Sequence, residues 1–311
     1  MQERVWPELP LEAWKDTYAT LHMWTQIVGK VRLALSPHVN HWWQVPLYVS
    51  ATGLTTSPIP YPGWAFEIEF NFLEHKLVIA SCNGQNKVLA LRPQSVASFY
   101  TEFMGALRSL GIKVHIWPMP VEIANPIRFD QDTQHASYDA EYAQRFWRIL
   151  TLIDPVFQEF RGGFIGKHSP IHFFWGSFDF ASTRFSGRRA PERSGTDPIT
   201  REAYSHEVIS SGFWPGGGDV KGPAFYTYAA PEPGGFRTSR VLPERAFYSP
   251  LGEFLLMYDD VRLSPEPERM LLDFLQSTYE AGANLGNWPR AELERTSPAP
   301  ASGGFRKAVN E

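Results

Sequence analysis

The residue with the clearest potential for acid–base chemistry is Asp179, a single carboxylate in the aromatic stretch HFFWGSFDF. His172 opens that stretch, and His206 follows later in YSHEVISSGFW. Histidine and carboxylate groups tune each other's pKa values close to neutral pH, where they transfer protons efficiently. We therefore predict that Asp179, with His172 or His206, forms a catalytic set. A histidine that caps a core strand is the alternative for His172.

Two stretches that begin with a histidine, 41–50 and 172–181, are predicted to be equivalent strands. Side chains of a strand alternate between its two faces. The face expected to be core carries His41, Trp43, Val45, Leu47 and Val49, matched by His172, Phe174, Gly176, Phe178 and Phe180. The opposite face carries Trp42, Gln44, Pro46, Tyr48 and Ser50, matched by Phe173, Trp175, Ser177, Asp179 and Ala181. Aromatic residues interleaved with hydrogen-bonding groups are typical of a small-molecule pocket. The alternative, a solvent-facing surface, would normally carry Lys, Glu and Thr.

Further predicted binding residues come from a helical stripe and from an arginine-rich segment. His22 shares its stripe with Gln26 and Lys30, although a solvated helix face is the alternative. Arg188 lies in the segment 186–204, predicted to be a lid because arginine binds carboxylates and phosphates bidentately. A mixed-charge surface loop is the alternative there. The full predicted binding set is Trp42, Gln44, Tyr48, Trp175, Ser177, Arg188, Glu207, Trp214 and His22.

No metal site is predicted from the sequence; the alternative is zinc or non-haem iron held by His22, His41, His172 and His206 with Glu207 or Asp179. The nine histidines show neither HxH nor HExxH spacing, and Cys82 is the one cysteine, so neither a disulfide framework nor a cysteine-ligated metal cluster is expected. GxSxG, Walker and GxGxxG motifs are also missing. We assign no cofactor.

Composition limits the classes of partner. The 311 residues are 43% hydrophobic and carry a net charge of −4, which gives no basic excess for nucleic acid. No apolar run reaches the roughly 18 residues of a membrane helix, and no signal peptide is visible. We therefore expect a cytoplasmic protein whose partner is a small-molecule ligand, with neither nucleic acid nor membrane as a partner.

The elements that must position these residues are helices and strands in separate runs. Apolar residues recur at helical spacing over about 12–35, 95–110, 141–160 and 266–283, and shorter apolar or alternating runs predict strands between them. This pattern favours an α+β fold.

Both halves of the chain are predicted to have the order helix, strands, helix. We expect an N-terminal half over 1–125 and a C-terminal half over 126–290, each an antiparallel sheet packed with helices. An internal duplication would explain their similarity, and coincidence is the alternative. Residues 291–311 are Pro/Gly/Ser-rich and predicted to be a disordered tail.

Four long motifs carry a resemblance to a known family: HWWQVPLYV within the first histidine stretch, PIHFFWGSFD, TRFSGRRAP and REAYSHEVISSGFWPGGG. Together they resemble an uncharacterised bacterial family known as a domain of unknown function. The likeness extends to about Trp288 and implies one family unit rather than a fusion. It assigns no catalytic residue.

Three functional hypotheses follow from the sequence. The first is an enzyme that acts on a small anionic organic molecule in a polar-aromatic cavity. The second is a non-catalytic ligand-binding or sensor protein that uses the same cavity. The third is an interaction module, for which the aromatic face would form an exposed patch.

Overall fold

The computed structural model describes residues 6–295, and it contains the four long helices predicted from the sequence. The helices are α1 Leu11–Leu35, α2 Val96–Ser109, α3 Ala140–Gly162, α4 Pro198–Ala203, α5 Tyr258–Arg262, α6 Pro267–Leu285 and α7 Arg290–Leu293. Two of the long helices begin at capping side chains, which accept hydrogen bonds from otherwise unpaired N–H groups. Ser95 caps α2 through the N–H of Ser98, and Asp139 caps α3.

The strands form two antiparallel sheets of six strands each. The first sheet contains β1 Tyr48–Val49, β2 Gly53–Thr55, β3 Ile59–Tyr61, β4 Trp64–Asn71, β5 Lys76–Ser81 and β6 Asn86–Ala90, in the order β1-β2-β4-β5-β6 with β3 paired to β4. The second contains β7 His172–Phe174, β8 Asp179–Arg189, β9 His206–Trp214, β10 Ala224–Ala230, β11 Phe247–Ser249 and β12 Glu253–Met257, in the order β11-β12-β10-β9-β8-β7. The protein is therefore an α+β protein, as predicted.

The two sheets meet at their edges through a pair of reciprocal backbone hydrogen bonds. The N–H of Leu47 donates to the carbonyl of Phe173 (2.9 Å), and the N–H of Phe173 donates to the carbonyl of Leu47 (2.8 Å). Helix α3 packs against β1 and β8 and so covers this junction. Its buried face, which includes Phe146 and Phe157, joins the apolar side chains of both sheets in one continuous core.

Each half places one long helix before its sheet and one after it, but the internal duplication stays a prediction. The alignment of His41 with His172 is wrong, because His41 lies in the 3₁₀ turn Asn40–Trp42 with φ 58°, whereas His172 begins β7. The backbone N–H of His41 donates to Oε1 of Glu202 (3.1 Å), which ties this turn to α4. The alternating faces predicted for 41–50 therefore do not form before β1, which begins at Tyr48.

The predicted strand over 172–181 is a hairpin. β7 ends at Phe174, a tight turn follows, and β8 starts at Asp179, which lies opposite Phe174. Phe178 adopts φ 59°, in the left-handed region that bulky residues rarely occupy. The predicted rows are consequently wrong in part: Phe173 is buried in the core, and Phe174 shares the face of Asp179.

The predicted loop 186–204 contains regular structure at both ends. β8 continues to Arg189, and α4 occupies Pro198–Ala203. The irregular part is therefore residues 190–197, shorter than the predicted lid.

The predicted tail from 291 begins with ordered residues. The backbone of Glu294 pairs with that of Phe164, so residues 291–295 pack on the C-terminal half, while the rest of the predicted tail lies outside the described residues. None of the helices within 6–295 combines the length and the apolar character needed to cross a membrane.

Candidate functional site

A deep cleft lies against the face of the second sheet opposite to helices α3 and α6. It consists of two adjoining cavities with volumes of about 750 Å³ and 880 Å³. Both cavities are lined by Glu122, Ser177, Asp179, Tyr204, Tyr226 and Tyr228. We call the combined space the Asp179 cleft. Cavities of this size accommodate small organic ligands.

The floor of the Asp179 cleft is made by alternate residues of neighbouring strands. Asp179 comes from β8, Tyr226 and Tyr228 from β10, and Glu253 from β12. Because side chains alternate along a strand, the residues between them, such as Phe180, point to the core. Helix α1, residues around 115–122 and the segment leading into α4 supply the walls.

A glycine on the intervening strand allows Tyr226 to reach Asp179. Ala181, Gly212 and Tyr226 are aligned across β8, β9 and β10. A Cβ atom on Gly212 would overlap the phenol ring of Tyr226, so the ring lies across this glycine. A glycine within a strand commonly marks such a close approach.

Asp179 is buried and receives a hydrogen bond on each carboxylate oxygen. The hydroxyl of Ser177 donates to Oδ1, and the hydroxyl of Tyr226 donates to Oδ2. Burial raises the pKa of Asp179, while the two hydrogen bonds act in the opposite direction. Within residues 6–295 no cationic side chain forms an ion pair with Asp179. A buried carboxyl group without a counter-ion is suited to donate or accept a proton near neutral pH.

Two further carboxyl groups line the cleft, and the charge of Asp179 contributes to raising the pKa of each. Burial, together with the charge of Asp179, raises the pKa of Glu253 to about 7. Burial, and after it the charges of Asp179 and Asp197, raise the pKa of Glu122. Gly176 makes room for Glu122, since a Cβ there would lie 2.5 Å from Oε1. The cleft therefore holds carboxyl groups that exchange protons at higher pH than ordinary surface carboxyls.

Trp175 forms part of the aromatic wall of the cleft, and its ring is held in one position. Its indole occupies the space that a side chain at Gly29 of α1 would take. The indole N–H donates to the carbonyl of Val45 (2.8 Å), which sets the plane of the ring. Trp42 and Trp43 line the same cavity, so the wall offers flat apolar surfaces for stacking.

Several residues in left-handed backbone conformations border the cleft. His41 (φ 58°), Trp42 (φ 60°) and Glu122 (φ 57°) line it, and Phe178 (φ 59°) precedes Asp179. Such conformations cost of order 1 kcal/mol or more each and concentrate at ligand sites.

The cleft brings together part of the predicted site. The predicted residues that line it are Asp179, Ser177, Trp175, Trp42, Trp214 and His22. Nε2 of His22 lies 2.8 Å from the carbonyl of Gly176. Burial lowers the pKa of His22 to about 4, so this histidine is neutral at pH 7 and anchors the β7–β8 turn.

His172 lies outside the cleft, and its predicted pairing with Asp179 does not form. Its ring is fully buried among Trp43, Tyr48 and Phe174, with centroid distances of 6.0, 5.6 and 5.3 Å. Neither ring nitrogen has a hydrogen-bond partner among the described residues. Burial lowers the pKa of His172 to about 3, so the ring is a neutral packing group. Tyr48, in contact with this ring, is likewise outside the cleft.

His206 and Gln44 do not line the cleft either. Nδ1 of His206 is 3.0 Å from Oγ of Ser205, and its ring centroid is 5.6 Å from that of His41. The side-chain oxygen of Gln44 accepts the N–H of Val39 (3.0 Å), so Gln44 holds the 3₁₀ turn.

Arg188 and Glu207 pair with each other instead of lining the cleft. Nη2 of Arg188 lies 2.7 Å from Oε2 of Glu207, and Nη1 donates to the carbonyl of Asn287 (2.8 Å) just after α6. The predicted role of Arg188 in holding an anionic ligand is therefore not supported by its position.

Sequence reasoning missed Tyr226, Tyr228, Glu122 and Glu253. The spacing of the two tyrosines in AFYTYAAP places both on one strand face, and Gly212 interrupts an otherwise continuous strand pattern; both signals were readable. No three or more His, Cys, Asp or Glu side chains within 6–295 come together in a way that could hold a metal ion.

Comparison with known proteins identifies the family but no characterised relative. A family model described as a family of unknown function (DUF5996) matches residues 6–295. No curated protein and no solved structure matches the chain. The matched range contains both sheets and every residue that lines the Asp179 cleft. The chain belongs to this family of unknown function (DUF5996).

Proposed function

We propose that this protein is an enzyme that converts a small organic molecule in the Asp179 cleft, with the Asp179 carboxyl as the proton donor or acceptor. The observation that carries the proposal is the environment of this carboxyl. It is buried, held by Ser177 and Tyr226, and faces open space instead of a protein cation. The cytoplasmic location, the bacterial source and a single small-molecule partner belong to the same proposal.

The remainder of the cleft supports substrate binding. Trp175 is fixed by Gly29 and Val45, so its ring position is established before a ligand arrives. A preorganised site loses less freedom on binding and places the substrate accurately. The carboxyl groups of Glu122 and Glu253 can take up or release a proton beside Asp179.

Asp179→Asn tests the proposed role. Because the amide cannot exchange a proton, we expect turnover to fall by roughly 10²–10⁴-fold. The wild-type protein and the variant are each incubated with a bacterial small-molecule extract, and the compounds consumed or formed are followed by mass spectrometry. Tyr226→Phe, which removes one hydrogen bond to the carboxyl, is expected to reduce turnover less.

Asp130→Asn is the matched control. Asp130 is an exposed carboxylate that pairs with Arg128 (2.8 Å) and does not line the cleft, so turnover should be unchanged. Conversion at equal rates by wild type and Asp179→Asn would contradict the catalytic role. Binding of a compound without conversion by wild type would instead support the non-catalytic ligand-binding alternative.

A further inference from the structure

The polar stripe of α1 consists of His22, Gln26 and Lys30. Two of these three side chains form hydrogen bonds with the backbone of other segments. His22 bonds to the carbonyl of Gly176. Gln26 exchanges two hydrogen bonds with the backbone of Val121, at 2.9 and 2.8 Å. Residues four apart share one side of a helix, so Lys30 extends the same stripe. It is the one member of the stripe whose side chain forms no hydrogen bond or ion pair with residues 6–295; its ammonium lies over the ring of Trp117.

Lys30 is a buried cation that lines the larger cavity. It is 5% exposed, and its Nζ lies 5.1 Å from the centroid of the Trp117 ring. No hydrogen bond or ion pair joins its ammonium to a described residue. Partial burial of an ammonium group without a counter-ion is unfavourable. An anion in the adjoining space would remove that cost.

We propose that Lys30 binds the anionic group, a carboxylate or a phosphate, of the molecule that occupies the Asp179 cleft. This inference rests on the proposed function and narrows its substrate class. It gives Lys30 the role that the sequence predicted for Arg188, whose guanidinium is already paired with Glu207.

Lys30, the indole of Trp175 and the carboxyl groups of Glu122 and Asp179 line the same cavity. Gly29, next to Lys30, is in contact with the indole of Trp175; Ser177 lies in the turn that follows Trp175, and Asp179 is the first residue of β8. Because this cavity has a volume of about 880 Å³, we expect one small organic ligand stacked on Trp175 to contact both Lys30 and the carboxyl groups. The substrate class is an organic acid or phosphate ester that also carries an amine or hydroxyl group, which would donate a hydrogen bond to the carboxyl cluster.

Other charged groups face the same cavity and must be distinguished from Lys30. The titratable and charged residues that line this cavity with it are His41, His115, Glu122, Asp179, Arg193, Asp197, Tyr204, Tyr226 and Tyr228. Arg193 is the other lysine or arginine that lines this cavity, and its guanidinium lies 3.9 Å from the centroid of the Tyr204 ring. Burial lowers the pKa of Lys30 to about 8, whereas an arginine keeps its charge in alkaline solution. A pH profile therefore separates the two.

The test compares four probes of matched shape: benzoate, phenyl phosphate, benzamide and benzylamine. Their binding to the full chain is measured by isothermal titration calorimetry at about pH 7 and about pH 9.5, on either side of the Lys30 pKa. We expect wild type to bind at least one of the two anions about tenfold more tightly than benzamide at the lower pH. Lys30→Met should lose this preference, and Lys30→Arg should retain it. Lys113→Met, a change at an exposed lysine outside the cleft, should have no effect.

The pH dependence and the probe pattern decide between the outcomes. At the higher pH the preference should fall in wild type, because Lys30 loses its proton, and should persist in Lys30→Arg. A preference for benzoate or for phenyl phosphate identifies the carboxylate or the phosphate as the bound group. An equal anion preference in wild type and Lys30→Met overturns the inference, and it leaves the proposed function standing if Asp179→Asn alters probe binding. Failure of all four probes to bind wild type overturns both.

Discussion

Strand β8 carries two buried charged residues, Asp179 and Arg184, whose surroundings differ. They are five residues apart and therefore lie on opposite faces of the sheet. Arg184 is 2% exposed and points toward the helices, where its guanidinium lies 3.4 Å from the Phe160 ring centroid and 4.2 Å from that of Tyr279. It also donates to the carbonyl of Phe160. The guanidinium of Arg184 is thus packed against side chains of α3 and α6.

Asp179, like Arg184, forms hydrogen bonds with the protein, but Asp179 also lines the cleft. Burial lowers the pKa of Arg184 to about 9 and raises that of Asp179, so both charges are disfavoured by their surroundings. The difference is that the cleft gives Asp179 access to a ligand. Burial and a shifted pKa alone do not identify a functional residue, because structural charges share both properties. The feature that distinguishes Asp179 from Arg184 is the cleft, which Asp179 lines and Arg184 does not.

The largest expected effect in this comparison is at Arg184. Arg184→Ala removes the side chain from its contacts with aromatic rings, so we expect the free energy of unfolding to fall by about 3 kcal/mol, as for other large-to-small core changes. Urea unfolding measures it. Arg184→Met fills the space with an apolar chain and should cost about 1 kcal/mol or less. A large loss of turnover in Arg184→Met with unchanged stability would contradict the assignment of a structural role to Arg184.

A smaller effect is expected at Gly212, on the cleft face. Gly212→Ala places a methyl group where the Tyr226 ring lies, and overpacking of this kind costs about 1–3 kcal/mol. The cost should shrink by about 1 kcal/mol or more in a Tyr226→Ala background, because the overlap is then absent. Urea unfolding of the four proteins in this cycle gives the coupling. Gly105→Ala, in α2 where a Cβ meets no atom closer than 3.8 Å, is the control. Additive effects at 212 and 226 would contradict the contact.

The third effect depends on pH and concerns Glu253. Its pKa is raised from 4.5 to about 7 in the folded protein, so the folded state holds its proton more tightly than the unfolded state does. The stabilisation is complete below pH 4.5 and is lost as pH rises to about 7. Relative to Glu253→Gln, which does not titrate, wild type should therefore lose stability across this window. Urea midpoints measured at several pH values check it, and parallel curves for the two proteins would show that Glu253 does not titrate in this range.

Local patterns predicted the helices and most strands, because helical and alternating apolar spacing depends on near neighbours along the chain. The sequence also singled out Asp179, since a lone carboxylate among aromatic residues has few structural uses, and its catalytic role stays a prediction. The turn before it was missed because Phe178 adopts a left-handed conformation that its residue type does not indicate. The strand predicted over 41–50 failed for a related reason, since contacts with Glu202 hold His41 in a turn.

The errors in the predicted site arise from contacts between distant residues. Arg188 has the chemistry to bind an anion, but Glu207 and the end of α6 already occupy its donors. His172 has the chemistry to transfer a proton, but Trp43 and Tyr48 enclose it. In both cases the residue type indicated which chemistry the side chain could perform. The partner of that side chain depended on residues that are distant in the sequence and close only in the folded chain.

The most direct test of the Asp179 cleft is a crystallographic soak of wild-type protein with a diverse set of small organic fragments. We predict that bound fragments concentrate in the cleft, stacked on Trp175 and hydrogen-bonded to Asp179 or Tyr226. Fragments bound elsewhere on the protein, with this cleft repeatedly left without one, would contradict the assignment of Asp179 to a ligand site.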